Sequence, residues 1–128
     1  MIRVIAAVIR KDRKYLACRR PVGKRHGGLW EFPGGKVHEG ENDLEAARRE
    51  LAEELNVRVV DAGPTLLEVR DPGTDFLIVF KDVRIIGEPQ ALEHDALCWA
   101  SPLELVGFRL APGDEMFVHR YLVSIQRW

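Results

Sequence analysis

Three glutamates in one short stretch, Glu50, Glu53 and Glu54, have the side-chain type and spacing to bind a cation. In a helix, residues at i, i+3 and i+4 share one face, so the three carboxylates would lie side by side. Hard divalent cations such as Mg²⁺ take carboxylate oxygens as ligands. The spacing therefore predicts a divalent-cation site on one face of a helix.

The surrounding residues predict where that helix begins and ends. Asn42 is placed to be its N-cap, with Glu45 at the third helical position in an imperfect capping box. Asn56 is a left-handed stop, which puts the three glutamates in the last two turns. Acids there face the negative end of the helix dipole and cost roughly 0.3–1 kcal/mol each when exposed, so stability alone does not explain them. The predicted buried stripe consists of Leu44, Ala47, Leu51 and Leu55.

The alternative for this helix is a solvated face of ion pairs, the usual role of a charged helix surface. Arg49 could pair with Glu45 one turn back or with Glu53 one turn on, and Arg48 is near. The glycine turn before the helix and the complete spacing favour the cation site.

The spacing Gly35, five residues, Glu41, seven residues, Arg49-Glu50-Leu51-x-Glu53-Glu54-x-Asn56-Val57 resembles the signature box of the Nudix hydrolases. The family usually has glycine where this chain has Asn56, and asparagine is the next most tolerant residue of a left-handed cap. The preceding segment LWEFPGGK, residues 29–36, narrows the resemblance to the MutT-like branch and its CTP pyrophosphohydrolase-like members.

The resemblance implies an α/β fold, an α/β/α sandwich with a mixed β-sheet between helices, formed by residues 1–128 as one domain. It implies Mg²⁺, for which Mn²⁺ can substitute, and hydrolysis of a nucleoside triphosphate to a monophosphate and pyrophosphate by attack at an inner phosphorus. The metal ligands it implies are the carbonyl of Gly35 and the side chains of Glu50, Glu53, Glu54 and Glu93. Glu50 and Glu53 are the candidates to take a proton, with Glu93 less favoured, and Arg49 would orient Glu50.

The resemblance also implies substrate contacts outside the box. Lys36 and Arg20 would meet the phosphates, although Arg20 could equally be surface charge. Asp114 would lie at the base pocket, or cap the last helix, or do both. Glu93, beside His94, could be a solvated loop acid instead of a ligand. Thr74 stands where the oxidised-guanine enzyme has a base-pocket arginine, which argues against specificity for 8-oxo-dGTP.

Composition agrees with one enzyme-sized domain. The chain has 128 residues, 46% of them apolar, and a formal net charge of −1. This balance provides no basic field for long nucleic acid or an anionic membrane. Cys18 and Cys98 suit free thiols in a reducing, cytoplasmic environment. A nucleotide is the expected partner of a monomer or homodimer, and a dimer contact could use Trp128 and residues 108–110.

The element pattern follows hydrophobic runs and turn residues. We expect strands at residues 2–9, 15–18, 57–60, 66–69, 76–83 and 96–99, with a break at residues 62–64. A short helix should follow Ser101. A final helix is predicted from Glu115 to about Gln126, with Met116, Val118 or His119, Leu122 and Ile125 inward, and with His119 in a packing role.

Two other functions remain open at this stage. The box could serve hydrolysis of a nucleoside diphosphate linked to another group. A non-catalytic Nudix module that senses nucleotides is less favoured, because its acids would be degenerate and all three are present here.

Overall fold

The computed structural model describes residues 1–125, which form eight strands, three α-helices and one π-helical segment. The strands are β1 (Ile2–Val8), β2 (Arg10–Lys11), β3 (Lys14–Arg19), β4 (Trp30–Glu31), β5 (Gly34–Lys36), β6 (Arg58–Arg70), β7 (Phe76–Ile86) and β8 (Ala96–Ala100). The α-helices are α1 (Asp43–Leu55), α2 (Pro102–Val106) and α3 (Pro112–Phe117), and the π-helical segment is Val118–Leu122.

The central element is a mixed sheet in the order β5-β1-β7-β6. Strands β1 and β7 run parallel, whereas β5 and β6 pair antiparallel with their neighbours. A smaller antiparallel sheet joins β3 to β2, β4 and β8. The strands predicted at residues 15–18 and 96–99 are thereby confirmed.

Side chains alternate across β1 and build two cores, one on each face of the mixed sheet. Ile5 and Ala7 pack with Leu51 and Leu55 of α1. On the other face Val8 and its neighbours pack against the C-terminal helical segments, whose buried residues are Phe117, Val118 and Leu122. This helix–sheet–helix layering confirms the predicted α/β/α sandwich.

Helix α1 begins and ends as its sequence predicts. The Asn42 side chain accepts from the backbone N–H of Glu45, and the Glu45 side chain accepts from the backbone N–H of Asn42, so the capping box is complete. At the other end Asn56 is left-handed, with φ 55° and ψ 41°, and its N–H donates to the carbonyl of Ala52. The helix therefore holds its last two turns, with their acids, in a fixed position beside β5.

Two expectations about the elements are wrong. The break predicted at residues 62–64 is absent: β6 continues through it and accommodates Gly63-Pro64 by shifts in its register with β7. The final helix starts at Pro112 instead of Glu115 and changes to π-helical geometry after Phe117. Val118 and Leu122 are buried as predicted, whereas His119, expected to pack, and Ile125, expected inward, are exposed.

The last three residues lie outside the part of the chain that the structure describes. They include Gln126, the predicted end of the last helix, and Trp128, the predicted dimer contact. Within residues 1–125, each helix is too short or too polar to span a lipid bilayer.

Candidate active site

An acidic cavity of about 200 Å³ opens between the end of α1, β5 and the segment before β8. Glu50, Glu54 and Glu93 line it together, although Glu93 is far from the other two in sequence. Glu53 projects from the exposed side of α1 and is not part of this lining. The structure thus brings together three of the four carboxylates implied as ligands, and a role for Glu53 stays a prediction.

Glu54 is the most deeply placed of these acids, with 5% of its surface exposed. Its Oε1 accepts a long hydrogen bond of 3.4 Å from the backbone N–H of Gly34. Burial, followed by the hydrogen bond and the negative charge of Glu50, raises the pKa of Glu54 well above its ordinary value. The charged form of Glu54 is therefore disfavoured at this depth unless a cation lies beside it.

Arg49 and the glycine turn hold Glu50. The Arg49 guanidinium donates to Glu50 Oε1 at 2.5 Å, to both oxygens of Glu41, and to the carbonyl of Lys36. A Cβ on Gly35 would collide with the Glu50 carboxylate, so only glycine allows this approach. Arg49 pairs with Glu41 and Glu50, and not with Glu45 or Glu53 as in the solvated-face alternative.

Glu31 and His94 form a second, partly buried network that was not predicted from the sequence. The His94 ring is buried, with Nε2 2.9 Å from Glu31 Oε2 and 3.9 Å from Glu54 Oε1. On the other side of Glu31, Arg20 Nη1 lies 3.2 Å from each carboxylate oxygen. A clue was present in the sequence, because Glu31 is a lone acid between Trp30 and Phe32 in an otherwise apolar strand.

The Arg20 guanidinium is therefore partly neutralised by an acid of the protein itself. It is half-buried, pairs with Glu31, and donates from Nε to the carbonyl of Arg25 at 2.6 Å. It nevertheless lines the acidic cavity and a larger cleft next to it. Its predicted contact with phosphate stays a prediction.

The larger cleft has a volume of about 390 Å³ and mainly apolar walls, which include Phe32, Phe76 and Ile78. Lys36 stands at its edge, with Nζ 5.2 Å from the centre of the Phe76 ring. Glu31 and Gly34 line both the cleft and the acidic cavity. Apolar walls with a few polar groups are typical of a site for a flat organic ligand.

Asp114 lies in the wall of this cleft with 7% of its surface exposed. Its Oδ1 accepts from the backbone N–H of Phe32 at 2.9 Å. Burial first, and then the negative charge of Glu31, raises the pKa of Asp114 well above its ordinary value. The N-cap alternative is wrong, because Ala111 occupies that position and Asp114 falls inside the first turn of α3.

The donor set fits a hard cation. Among residues 1–125, no three His, Cys, Asp or Glu side chains converge as a ready-made metal site. Glu54, however, is a buried carboxyl whose nearest basic side chain is His94 at 3.9 Å, and Glu50 lies beside it. A divalent cation would offset the cost of burying the charged Glu54 carboxylate and would take the oxygen ligands that it prefers. Glu50, Glu54, Glu93 and the Gly35 carbonyl are the groups that would hold it.

Comparison with known proteins identifies the class to which this site belongs. The NUDIX domain model matches residues 1–121, and the chain belongs to the Nudix family. The expected assignment as a Nudix hydrolase of the MutT-like branch is confirmed.

Named relatives cover most of the chain. It is 39% identical over 116 residues to the CTP pyrophosphohydrolase of Escherichia coli, covering 89% of this chain and 86% of that protein. It is 31% identical over 126 residues to the 8-oxo-dGTP diphosphatase of Haemophilus influenzae, covering 95% and 92%. The solution structure of the E. coli ORF135 protein superposes with a TM-score of 0.79 at 37% identity, covering 93% of this chain and 86% of that one. A MutT NUDIX hydrolase from Burkholderia pseudomallei gives a TM-score of 0.75 at 26% identity, covering 92% and 95%.

Proposed function

We propose that this Nudix hydrolase cleaves a nucleoside triphosphate to a nucleoside monophosphate and pyrophosphate, with Mg²⁺. The observation that carries the proposal is the pairing of Glu50 with buried Glu54 next to an apolar cleft of nucleotide size. The relatives support it, because their names describe cleavage of CTP and of 8-oxo-dGTP.

The charge of the substrate dictates the need for a cation. A triphosphate is repelled by Glu50, Glu54 and Glu93, so a cation has to lie between the acids and the phosphates. Mg²⁺, when bound, offsets phosphate charge and makes water more acidic. Mn²⁺ would serve the same role.

The protein residues then position and move protons. Arg49 fixes Glu50 through a short charged hydrogen bond, so the carboxylate enters the reaction without reorganisation. Of the two favoured proton acceptors, Glu50 is better placed than Glu53 to take a proton from the attacking water, because only Glu50 lines the cavity. Lys36 and the free face of Arg20 would bind phosphate oxygens at the boundary of the cleft, and Asp114 would contact the base.

Hydrolysis in ¹⁸O-labelled water tests the reaction directly. Incubation of a nucleoside triphosphate with enzyme and Mg²⁺ should release pyrophosphate and monophosphate in equal amounts, with one ¹⁸O in one of the two products. Label in the monophosphate means attack at the α-phosphorus, and label in pyrophosphate means attack at the β-phosphorus. Orthophosphate with a nucleoside diphosphate would contradict the proposal, as would unchanged turnover after EDTA treatment.

The second candidate, a nucleoside diphosphate linked to another group, is separated by the same assay. Such a substrate yields two monophosphorylated products and no pyrophosphate. Faster turnover of linked diphosphates than of every triphosphate tested would favour hydrolysis of linked diphosphates as the function.

A further inference from the structure

We propose that Asp71 selects nucleotides whose base carries an amino group on the edge that enters the cleft. The inference rests on the proposed nucleotide substrate and adds the class of base to it. It depends on the turn between β6 and β7, residues 71–75.

The backbone of Asp71 is fixed in this turn. Its N–H donates to the carbonyl of Phe76 at 3.0 Å. Its own carbonyl accepts from both the N–H and the hydroxyl of Thr74, at 3.2 and 2.9 Å. Gly73, with φ +75°, completes the turn. These three hydrogen bonds hold the backbone from which the Asp71 side chain extends.

The carboxylate of Asp71, in contrast, lacks a hydrogen bond or ion pair to any of residues 1–125, although the residue is half-buried. It lines the cleft together with Phe76 and Ile78. Both carboxylate oxygens are therefore available to accept hydrogen bonds from a ligand in the cleft.

Gly113 brings this carboxylate close to the base-binding wall. A Cβ on Gly113 would lie 3.4 Å from Asp71 Oδ1 and 2.5 Å from Ile78 Cδ1. The absence of that side chain leaves Asp71 and Asp114 on either side of one glycine, both facing the cleft. The charge of Asp71 also contributes to the raised pKa of Asp114, after burial and the charge of Glu31.

The two groups offer opposite hydrogen-bonding chemistry. A protonated Asp114 has an O–H to donate, whereas a carboxylate at Asp71 only accepts. An acceptor next to an amino donor complements this pair, and the N3–N4 edge of cytosine and the N1–N6 edge of adenine have that order. Uracil and hypoxanthine place a carbonyl oxygen where the amino group stands, so two hydrogen-bond acceptors would face each other at Asp71.

The test compares substrates that differ only in this group. The parent enzyme should prefer CTP over UTP and ATP over ITP in kcat/KM. Asp71→Asn presents either an oxygen or an amide N–H, so the CTP/UTP ratio should fall by roughly 10-fold to 100-fold, the size of one hydrogen bond to a charged group. Asp75→Asn, an exposed acid in the same turn, is the matched control and should leave the ratio unchanged.

Affinities for CMP and UMP, measured calorimetrically, separate this inference from the proposed reaction. Loss of CMP preference in Asp71→Asn supports the inference even if triphosphates prove not to be the substrate. Hydrolysis of triphosphates with the same CTP/UTP ratio in parent and Asp71→Asn overturns the inference and leaves the reaction intact. A parent enzyme without amino preference in either assay also overturns it.

Discussion

At the scale of single residues, the site is organised around a carboxyl group that the fold buries at a cost. Glu54 lies under the glycine turn with a raised pKa, caused by burial and by Glu50. A side chain placed only for stability would be apolar at this depth. The proposed cation would explain a carboxyl group at this depth, because an apolar side chain could not hold it.

Replacement of Glu54 by glutamine should keep the fold and lower turnover by roughly 10²–10³, the effect of losing one preorganised electrostatic group. Steady-state kinetics at saturating Mg²⁺ measure this, with thermal melting to confirm folding. Glu88→Gln, in an exposed loop, is the control. Turnover within threefold of the parent enzyme would refute the role of Glu54.

Asp114→Asn should stabilise the protein increasingly as the pH rises. Because the folded pKa of Asp114 is raised, the unfolded chain releases its proton near pH 4 while the folded protein keeps it. The parent therefore loses stability from about pH 4 upward, by at most about 1.4 kcal/mol per pH unit, and asparagine does not. Denaturant unfolding of both proteins from pH 4 to pH 8 measures the difference. A difference that stays constant with pH would mean that Asp114 ionises normally in the fold.

At the scale of elements, the end of α1 sets the direction of the acids. Asn56 adopts the left-handed conformation at a position where the family usually has glycine. Asn56→Ala should lower the free energy of unfolding by about 1–2 kcal/mol, whereas Asn56→Gly should stay within about 0.5 kcal/mol of the parent, because a Cβ is penalised only in the first case. Urea unfolding measures both. Equal stability of the two variants would show that the left-handed cap is not needed.

Sequence patterns predicted α1 well because its signals are local: a cap, an apolar period and a left-handed stop all lie within fifteen residues. They were only partly right for the last helix. Val118 and Leu122 are buried as predicted, but the helix starts at Pro112 and Ile125 is exposed. The burial of Phe117, which stacks on Phe80 with ring centroids 4.3 Å apart, depends on packing between distant parts of the chain. Of the two positions predicted for Asp114, the base pocket and the N-cap, the structure excludes the N-cap and places the side chain in the wall of the cleft.

The same distinction applies within the site. Glu50 and Glu54 were predictable from spacing on one helix. The bond between Glu31 and His94 joins residues 63 positions apart, and no local pattern encodes it. Glu53 was predicted to share the face of Glu50 and Glu54, but its side chain is exposed and does not line the cavity. Helical spacing alone was therefore not enough to identify the cavity residues.

At the scale of the whole molecule, two sites share one boundary. The acidic cavity and the apolar cleft meet at Arg20, Glu31 and Gly34. Both lie at one edge of the mixed sheet, where β5, α1 and the C-terminal segments converge. In the proposed complex, this arrangement would let one nucleotide place its phosphates toward a cation at the acids while its base enters the cleft.

A divalent cation at Glu50 and Glu54 is the feature on which the proposed reaction depends. Anomalous diffraction from crystals soaked in Mn²⁺ locates such a cation directly. We predict an anomalous peak within coordinating distance of the Glu50 and Glu54 oxygens in the parent protein, strengthened by nucleotide and lost or weakened in Glu54→Gln. Absence of a peak at these oxygens, with Mn²⁺ and nucleotide both present in the crystal, would contradict the account.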